Sequence, residues 1–140
     1  VIEETEVVAG PATGGALLAH TVAGLLDSRR DLSKPPTLFA PMRTNEQVHM
    51  LSVFYQKQVQ DRRVLLVDDV RNTGITLQRC AELLRGAGAE VIATAEIYDR
   101  LEAIADTGVP NFALAEYKVP ENHPMATCPM CQAGKLVTSF

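Results

Sequence analysis

No stretch of this chain is apolar for long enough to cross a membrane, because its longest hydrophobic runs are strand-sized and broken by charge. The opening "VIEETEVV" lacks the basic and apolar regions of a secretory signal. Basic residues are in deficit as well: 13 Lys and Arg face 17 Asp and Glu, for a formal net charge of −4. Nucleic acid is thereby excluded as the main partner, since such partners need a basic face that displaces counterions. Cysteine is sparse and odd in number, three in all, with two in "CPMC" near the end. That fits reduced thiols better than a secreted disulfide framework. Repeats and low-complexity segments are missing too. The expectation is a soluble cytoplasmic protein without nucleic-acid or membrane partners. Position 1 is Val rather than Met, so the chain is expected to begin inside a longer gene product.

What is present is a length of 140 residues with 46% hydrophobic content, enough for one ordinary core and too little for two. A single domain spanning 1–140 is expected. "TEVVA" (Thr5–Ala9) reads as a strand, "GPATGG" interrupts it, and "ALLAHTVAGLL" has helical apolar spacing. After the polar stretch Asp27–Pro36, "TLFAP" reads as a second buried strand, parallel to the first through the crossover helix. The segment Met42–Asp61 begins polar and then alternates weakly. It is expected to be a mobile loop, centred on 43–50, leading into a hairpin rather than a core helix. "RRVLLVDD" is the clearest strand and Ile75–Arg85 the clearest helix, with "GAG" as its stop. "AEVIATAEIYDR" reads as a further strand, followed by a short helix Leu101–Thr107, a strand "FALAEY" and a Cys-containing tail over 118–140. Alternation of strand and helix implies an α/β fold with an open, mostly parallel twisted sheet flanked by helices. Its ligands should lie outside the carboxyl ends of the strands.

Two adjacent acids, Asp68 and Asp69, close the aliphatic run "VLLV", and "VRNTGIT" follows at once. Strand-end acids commonly cap the next helix or face solvent, which accounts for one Asp more readily than for two after four aliphatics. Here Gly74 permits positive φ or close approach, while Asn72, Thr73 and Thr76 can donate to phosphate oxygens at a helix N-terminus. Acids beside an anion cradle suit a ligand carrying both hydroxyls and phosphate.

"VLLVDDVRNTGIT" resembles the signature of the type I phosphoribosyltransferases, which bind 5-phosphoribosyl-1-pyrophosphate (PRPP). The resemblance implies that Asp68 and Asp69 hold the ribose hydroxyls and that Val70, Arg71, Asn72, Thr73, Gly74, Ile75 and Thr76 wrap the 5′-phosphate. Asn72 stands where relatives often have Thr. "VVAGPATGGALLA" corresponds to the family's pyrophosphate loop, placing Pro11, Ala12, Thr13, Gly14 and Gly15 around the second anion. Mg²⁺ is implied, bound through PRPP rather than by a protein ligand set. A homodimer is the family expectation.

Two further stretches are similar to the orotate branch of that family. In "EIYDR" the resemblance gives Arg100 the orotate carboxylate, for which its planar fork is suited, although the same dipeptide also reads as a surface Arg after a strand. "TCPMCQAG" is similar to a C-terminal segment of one branch. Cys128 and Cys131 have zinc-ligand spacing with His123 near, yet structural zinc wants four ligands, so a packed turn with buried thiols is expected unless a second chain completes the set. The N-terminal hood of the orotate enzymes is expected to be absent from this chain. The lysine their mobile loop carries is missing as well, leaving Arg43 as the cation that could meet the pyrophosphate. The reading is PRPP-dependent phosphoribosyl transfer to a base, orotate first, with Asp68, Asp69 and Arg43 carrying catalysis. A non-catalytic PRPP or nucleotide sensor, or transfer to another base, stays open.

Overall fold

The run Val64–Val67 is buried throughout, which requires packing on both faces of the strand that carries it. A computed structural model, which describes residues 1–45, 48–102, 104–118 and 126–135, shows how this is met. The elements are β1 (Val7–Pro11), α1 (Gly14–Asp27), β2 (Leu38–Asn45), β3 (Val48–Met50), α2 (Val53–Val59), β4 (Arg63–Arg71), α3 (Ile75–Gly86), β5 (Glu90–Asp99), β6 (Asn111–Glu116) and α4 (Pro129–Gln132). The sheet order is β3-β2-β1-β4-β5-β6, parallel at every pairing except the β2–β3 hairpin. No helix among the described residues is long and apolar enough to cross a membrane.

On one face, α3 lays Leu77, Cys80, Ala81 and Leu84 against Val64 and Leu66, with Val59 of α2 in the same cluster. On the other, Ala19, Ala23 and Leu26 of α1 pack on Val8, Leu65 and Val67. Each fully buried Leu or Val contributes about 1.5–3 kcal/mol relative to exposure, so these two clusters fix where β1 and β4 end. From β1 the chain runs outward to β2 and then returns across β1 to β4. The order therefore reverses between β1 and β4, and the crevice beyond their carboxyl ends is the expected ligand position in such sheets.

The expected strands and the two main helices are all found, with shifted ends. Two expectations are corrected. Where the segment after the loop is expected to form a hairpin rather than a helix, Val53–Val59 is helical, started by Ser52, whose hydroxyl accepts the Tyr55 N–H at 3.5 Å. The segment expected as a helix over Leu101–Thr107 is not one among its described residues. The Asp99 carboxylate takes the Leu101 N–H at 2.8 Å, and the Thr73 carbonyl takes those of Ile104 and Ala105 at 2.9 Å, so no helical ladder is left to form. Residues 43–45 and 48–50 are the arms of the hairpin itself, with Arg43 opposite Met50 and Thr44 opposite His49.

Candidate active site

The carboxyl end of β4 delivers the acid pair. Asp68 is 8% exposed while Asp69 is open to solvent. The Asp69 N–H donates to Asp68 Oδ1 at 2.9 Å, and the Val70 N–H to Asp69 Oδ1 at 3.0 Å, so the backbone itself orients both groups. Burial pushes the Asp68 carboxyl up to about 7, helped by its hydrogen bond with the Asp69 side chain and by the charges of Asp69 and Glu96. Cys80 on α3 lies close enough to feel Asp68; burial first, and that charge second, push its thiol up to about 12.

The loop after β1 is pressed against these acids. A β-carbon on Gly14 would fall on the Asp69 carboxylate, and one on Gly15 would come within 2.8 Å of Asp68 Oδ1 and 2.9 Å of the Val67 carbonyl. Only glycine allows this approach. The loop is also tied to β2: the Ala12 N–H donates to the Met42 carbonyl at 2.7 Å, and the Thr44 hydroxyl to the Ala12 carbonyl at 3.2 Å. Gly14 and Gly15 thus stand next to the acids, while Ala12 of the same turn is tied to β2. Arg43, exposed at the base of the hairpin, directly precedes the Thr44 tether.

On the other side of the acids, residues 70–76 form a small pocket of ≈ 110 Å³, lined by Asp68, Arg71, Asn72, Thr73, Gly74 and Thr76. Gly74 has φ of 80°, caps α3, and sits where a β-carbon would meet the Ala105 carbonyl at 2.7 Å. The N–H groups of Ile75, Thr76 and Leu77 open the twelve-residue helix α3 and have no intrahelical acceptor, which makes this turn a cradle for an anion. Val70 and Ile75 are exposed apolar residues, so they can serve a ligand only through their backbone. Arg71 both lines the pocket and pairs with the buried Asp99 at 3.2 Å, a bridge from β4 to β5.

Arg100 follows immediately, its N–H bonded to the Arg71 carbonyl at 2.9 Å. Its Nη2 lies 3.8 Å from Glu102, and its buried Nε has no hydrogen-bond partner among the described residues.

Sequence reasoning assigned no role to Glu96. It stands opposite Asp68 in the β4–β5 register, 2% exposed, with Oε1 accepting from the Asn111 amide at 2.7 Å and Oε2 without a partner among the described residues. Burial raises its proton affinity above that of an ordinary carboxylate, against the Asn111 hydrogen bond. The available signal was an acid interrupting the aliphatic pattern of β5.

No group of three His, Cys, Asp or Glu able to hold a metal occurs among the described residues. Two carboxylates beside anion-binding turns match a magnesium ion that arrives on a phosphate ligand, which needs only one or two protein oxygens. The tail differs from expectation. Cys131 is exposed and Cys128 only partly buried, so the thiols are not packed away; His123 lies outside the described residues. A larger cavity, ≈ 530 Å³ and lined by Arg30, Lys34 and Arg63, lies at the amino ends of the strands, where Glu3 and Glu6 pair with Lys34 and Arg63.

Comparison with known proteins agrees with this geometry. The orotate phosphoribosyltransferase of Thermotoga maritima is 34% identical over 131 residues, covering 94% of this chain and 64% of that one. That of Caldanaerobacter subterraneus subsp. tengcongensis is 33% identical over 129 residues, covering 92% and 62%. The chain therefore spans less than two thirds of the length of these relatives. Among solved structures, orotate phosphoribosyltransferase from Aeropyrum pernix superposes with a TM-score of 0.62 at 26% identity, over 84% of this chain and 63% of that one. A purine phosphoribosyltransferase from Pyrococcus horikoshii shares the fold, with a TM-score of 0.63 at 22% identity over 83% and 73%. A sequence profile described as the phosphoribosyl transferase domain matches residues 2–107, which takes in both glycine turns and the acid pair between them, so the chain belongs to the phosphoribosyl transferase family.

Proposed function

We propose that this chain carries the catalytic core of an enzyme transferring the phosphoribosyl group of PRPP to orotate, with release of pyrophosphate. The observation that carries the reading is the placement of the acid pair between two anion-binding turns, Gly14 and Gly15 against the carboxylates on one side and the αL turn at Gly74 on the other. In this reading the 5′-phosphate lies in the turn 71–76, the ribose hydroxyls donate to Asp68 and Asp69, and the pyrophosphate meets the N–H groups of 11–15. The base lies next to Arg100, whose planar guanidinium would meet its carboxylate.

The bond from ribose C1 to pyrophosphate breaks through an oxocarbenium-like state, so the chain needs electrostatic positioning rather than a nucleophile. Asp68 and Asp69 would offer oxygens to a magnesium ion bound with PRPP, which would supply positive charge for the leaving pyrophosphate. Asp68 and Asp69 fix the ribose and face its developing positive charge, while the 11–15 turn and Arg43 hold the leaving group. Orotate is favoured over other bases by the names of the relatives at 33–34% identity and by the position of Arg100. A homodimer working in the cytoplasm is part of the same reading, and sedimentation velocity tests the dimer.

The decisive assay is pyrophosphate release from Mg–PRPP with orotate, uracil, adenine and hypoxanthine. Orotate should be strongly preferred. Arg100→Ala should weaken orotate by about ten- to a hundredfold, the loss of a charge-assisted pair of roughly 1.5–3 kcal/mol, and spare PRPP binding. An unchanged orotate response would move the assignment to another base. One observation favours a second reading, a PRPP sensor: the described part of the hairpin carries Arg43 and no lysine. Tight PRPP binding without turnover on any base would select it.

A further inference from the structure

Cys128 and Cys131 flank a single helical turn that the site described above does not use. Cys128 is the N-cap of α4, Pro129 occupies the first helical position, and Cys131 lies one turn on. Along a helix, α-carbons three residues apart lie about 5 Å from one another, within the Cα range of a disulfide. The two thiols are near enough for each to shift the proton affinity of the other. Cys131 is exposed and Cys128 partly so, whereas Cys80 is fully buried.

We propose that Cys128 and Cys131 are a redox-active dithiol, which closes to an intramolecular disulfide by exchange with a low-molecular-weight disulfide such as oxidised glutathione. The Cys128 thiolate attacks one glutathione sulfur, forming a mixed disulfide and expelling glutathione thiolate. Cys131 then loses its proton to solvent and attacks Cys128 Sγ, expelling the second glutathione. Two protein thiols are oxidised and one glutathione disulfide is reduced to two thiols, so the exchange balances. The order of attack follows from the surroundings of each thiol: the neighbouring polar groups of Cys131 and Met130 lower the proton affinity of Cys128, and Cys128 beside it raises that of Cys131, as in other Cys-x-x-Cys pairs with a nucleophilic first cysteine. A metal role has less support, since no third ligand joins them among the described residues.

The test uses the full chain, reduced and then incubated with oxidised glutathione. Expected is the loss of two reactive thiols and of about 2 Da, with a 128–131 cross-linked peptide after digestion and full reversal by dithiothreitol. Cys131→Ser should stop at one bound glutathione on Cys128, and Cys128→Ser should react at least about tenfold more slowly. Equal accumulation of glutathione on both single variants would overturn the proposal. So would a wild-type chain that collects mixed disulfides without closing, or one that arrives with stoichiometric zinc on these thiols and resists oxidation until chelator removes it.

Discussion

Gly14 lies so close to Asp69 that the first atom of any side chain at 14 would land on the Asp69 carboxylate. The glycine turn after β1 and the acid pair after β4 are therefore one site, although more than fifty positions separate them in the chain. Asp69 is exposed and can swing away, whereas a β-carbon at Gly15 would meet the Val67 carbonyl and Pro11 Cδ at 2.9 and 2.6 Å. Gly14→Ala should therefore keep stability within about 1 kcal/mol of the parent while weakening PRPP by roughly ten- to a hundredfold. Gly15→Ala should lose stability as well. Calorimetry with PRPP and urea unfolding on both variants check the contrast, and a Gly14→Ala protein with parental affinity would separate the two loops.

If Asp68 holds the ribose, its titration ties PRPP binding to pH. Its carboxyl titrates near 7 in the folded chain and near 4 when unfolded, so between these values the native state holds a proton that the unfolded state has released. Stability from this group is complete below about pH 4 and is lost as pH rises through 7, by up to about 4 kcal/mol. Asp68→Asn, which mimics the neutral acid, should therefore stabilise the chain progressively from pH 5 to pH 8 in urea unfolding. Ribose hydroxyls need the ionised form, so PRPP affinity of the parent should rise over the same interval with release of up to one proton. Calorimetry in two buffers of different ionisation heat reads that proton.

Arg71 and Asp99 are 15% and 8% exposed at the side chain and lie 3.2 Å apart. Asp99 also accepts the Leu101 N–H, and so holds the segment that covers Thr73. Removing one partner strands a largely buried charge, and Arg71→Ala should cost about 3 kcal/mol. Asp99→Ala should cost at least as much, and the double variant clearly less than the sum. Additive losses in urea unfolding would show that the pair is not coupled.

The parts of this molecule written in local chemistry were readable from the chain. Val64–Val67 had to be a doubly covered strand, Asp68 and Asp69 had to emerge at its end, and Gly74 had to open α3. What escaped depends on partners distant in sequence. Tyr55 and Val59 carry the inward face of α2, with Leu51 buried just before its cap, but polar neighbours blur the period, and the Ser52 cap is a single residue. Leu101–Thr107 has helical composition, yet its N–H groups are captured by Asp99 and by Thr73. Glu96 reads as an ordinary strand residue until the β4–β5 register sets it opposite Asp68. The thiols of "CPMC" seemed fit for burial, and only the position of α4 leaves them exposed.

The hairpin decides between enzyme and sensor. Arg43 pairs with Met50 across β2 and β3, and the neighbouring Thr44 bonds both His49 Nδ1, at 3.0 Å, and the carbonyl of Ala12 in the 11–15 turn. Motion of the hairpin is thus coupled to the turn assigned to pyrophosphate. If Arg43 compensates charge that grows as the ribose–pyrophosphate bond breaks, Arg43→Ala should lower single-turnover pyrophosphate release by at least about a hundredfold and change PRPP affinity by less than about threefold. Arg43→Lys should recover part of the rate, since a flexible ammonium can reach the same oxygens without the planar fork. Thr44→Val keeps the cation but cuts the tether, and should reduce turnover by a smaller factor than Arg43→Ala. A binding protein has no rate to lose, and Arg43→Ala would then act on affinity alone. Paired measurement of Kd by calorimetry and of single-turnover release, on a protein extended to the full length of the relatives, distinguishes the two. Loss of affinity equal to loss of rate would remove Arg43 from catalysis and leave it as a simple anchor for PRPP.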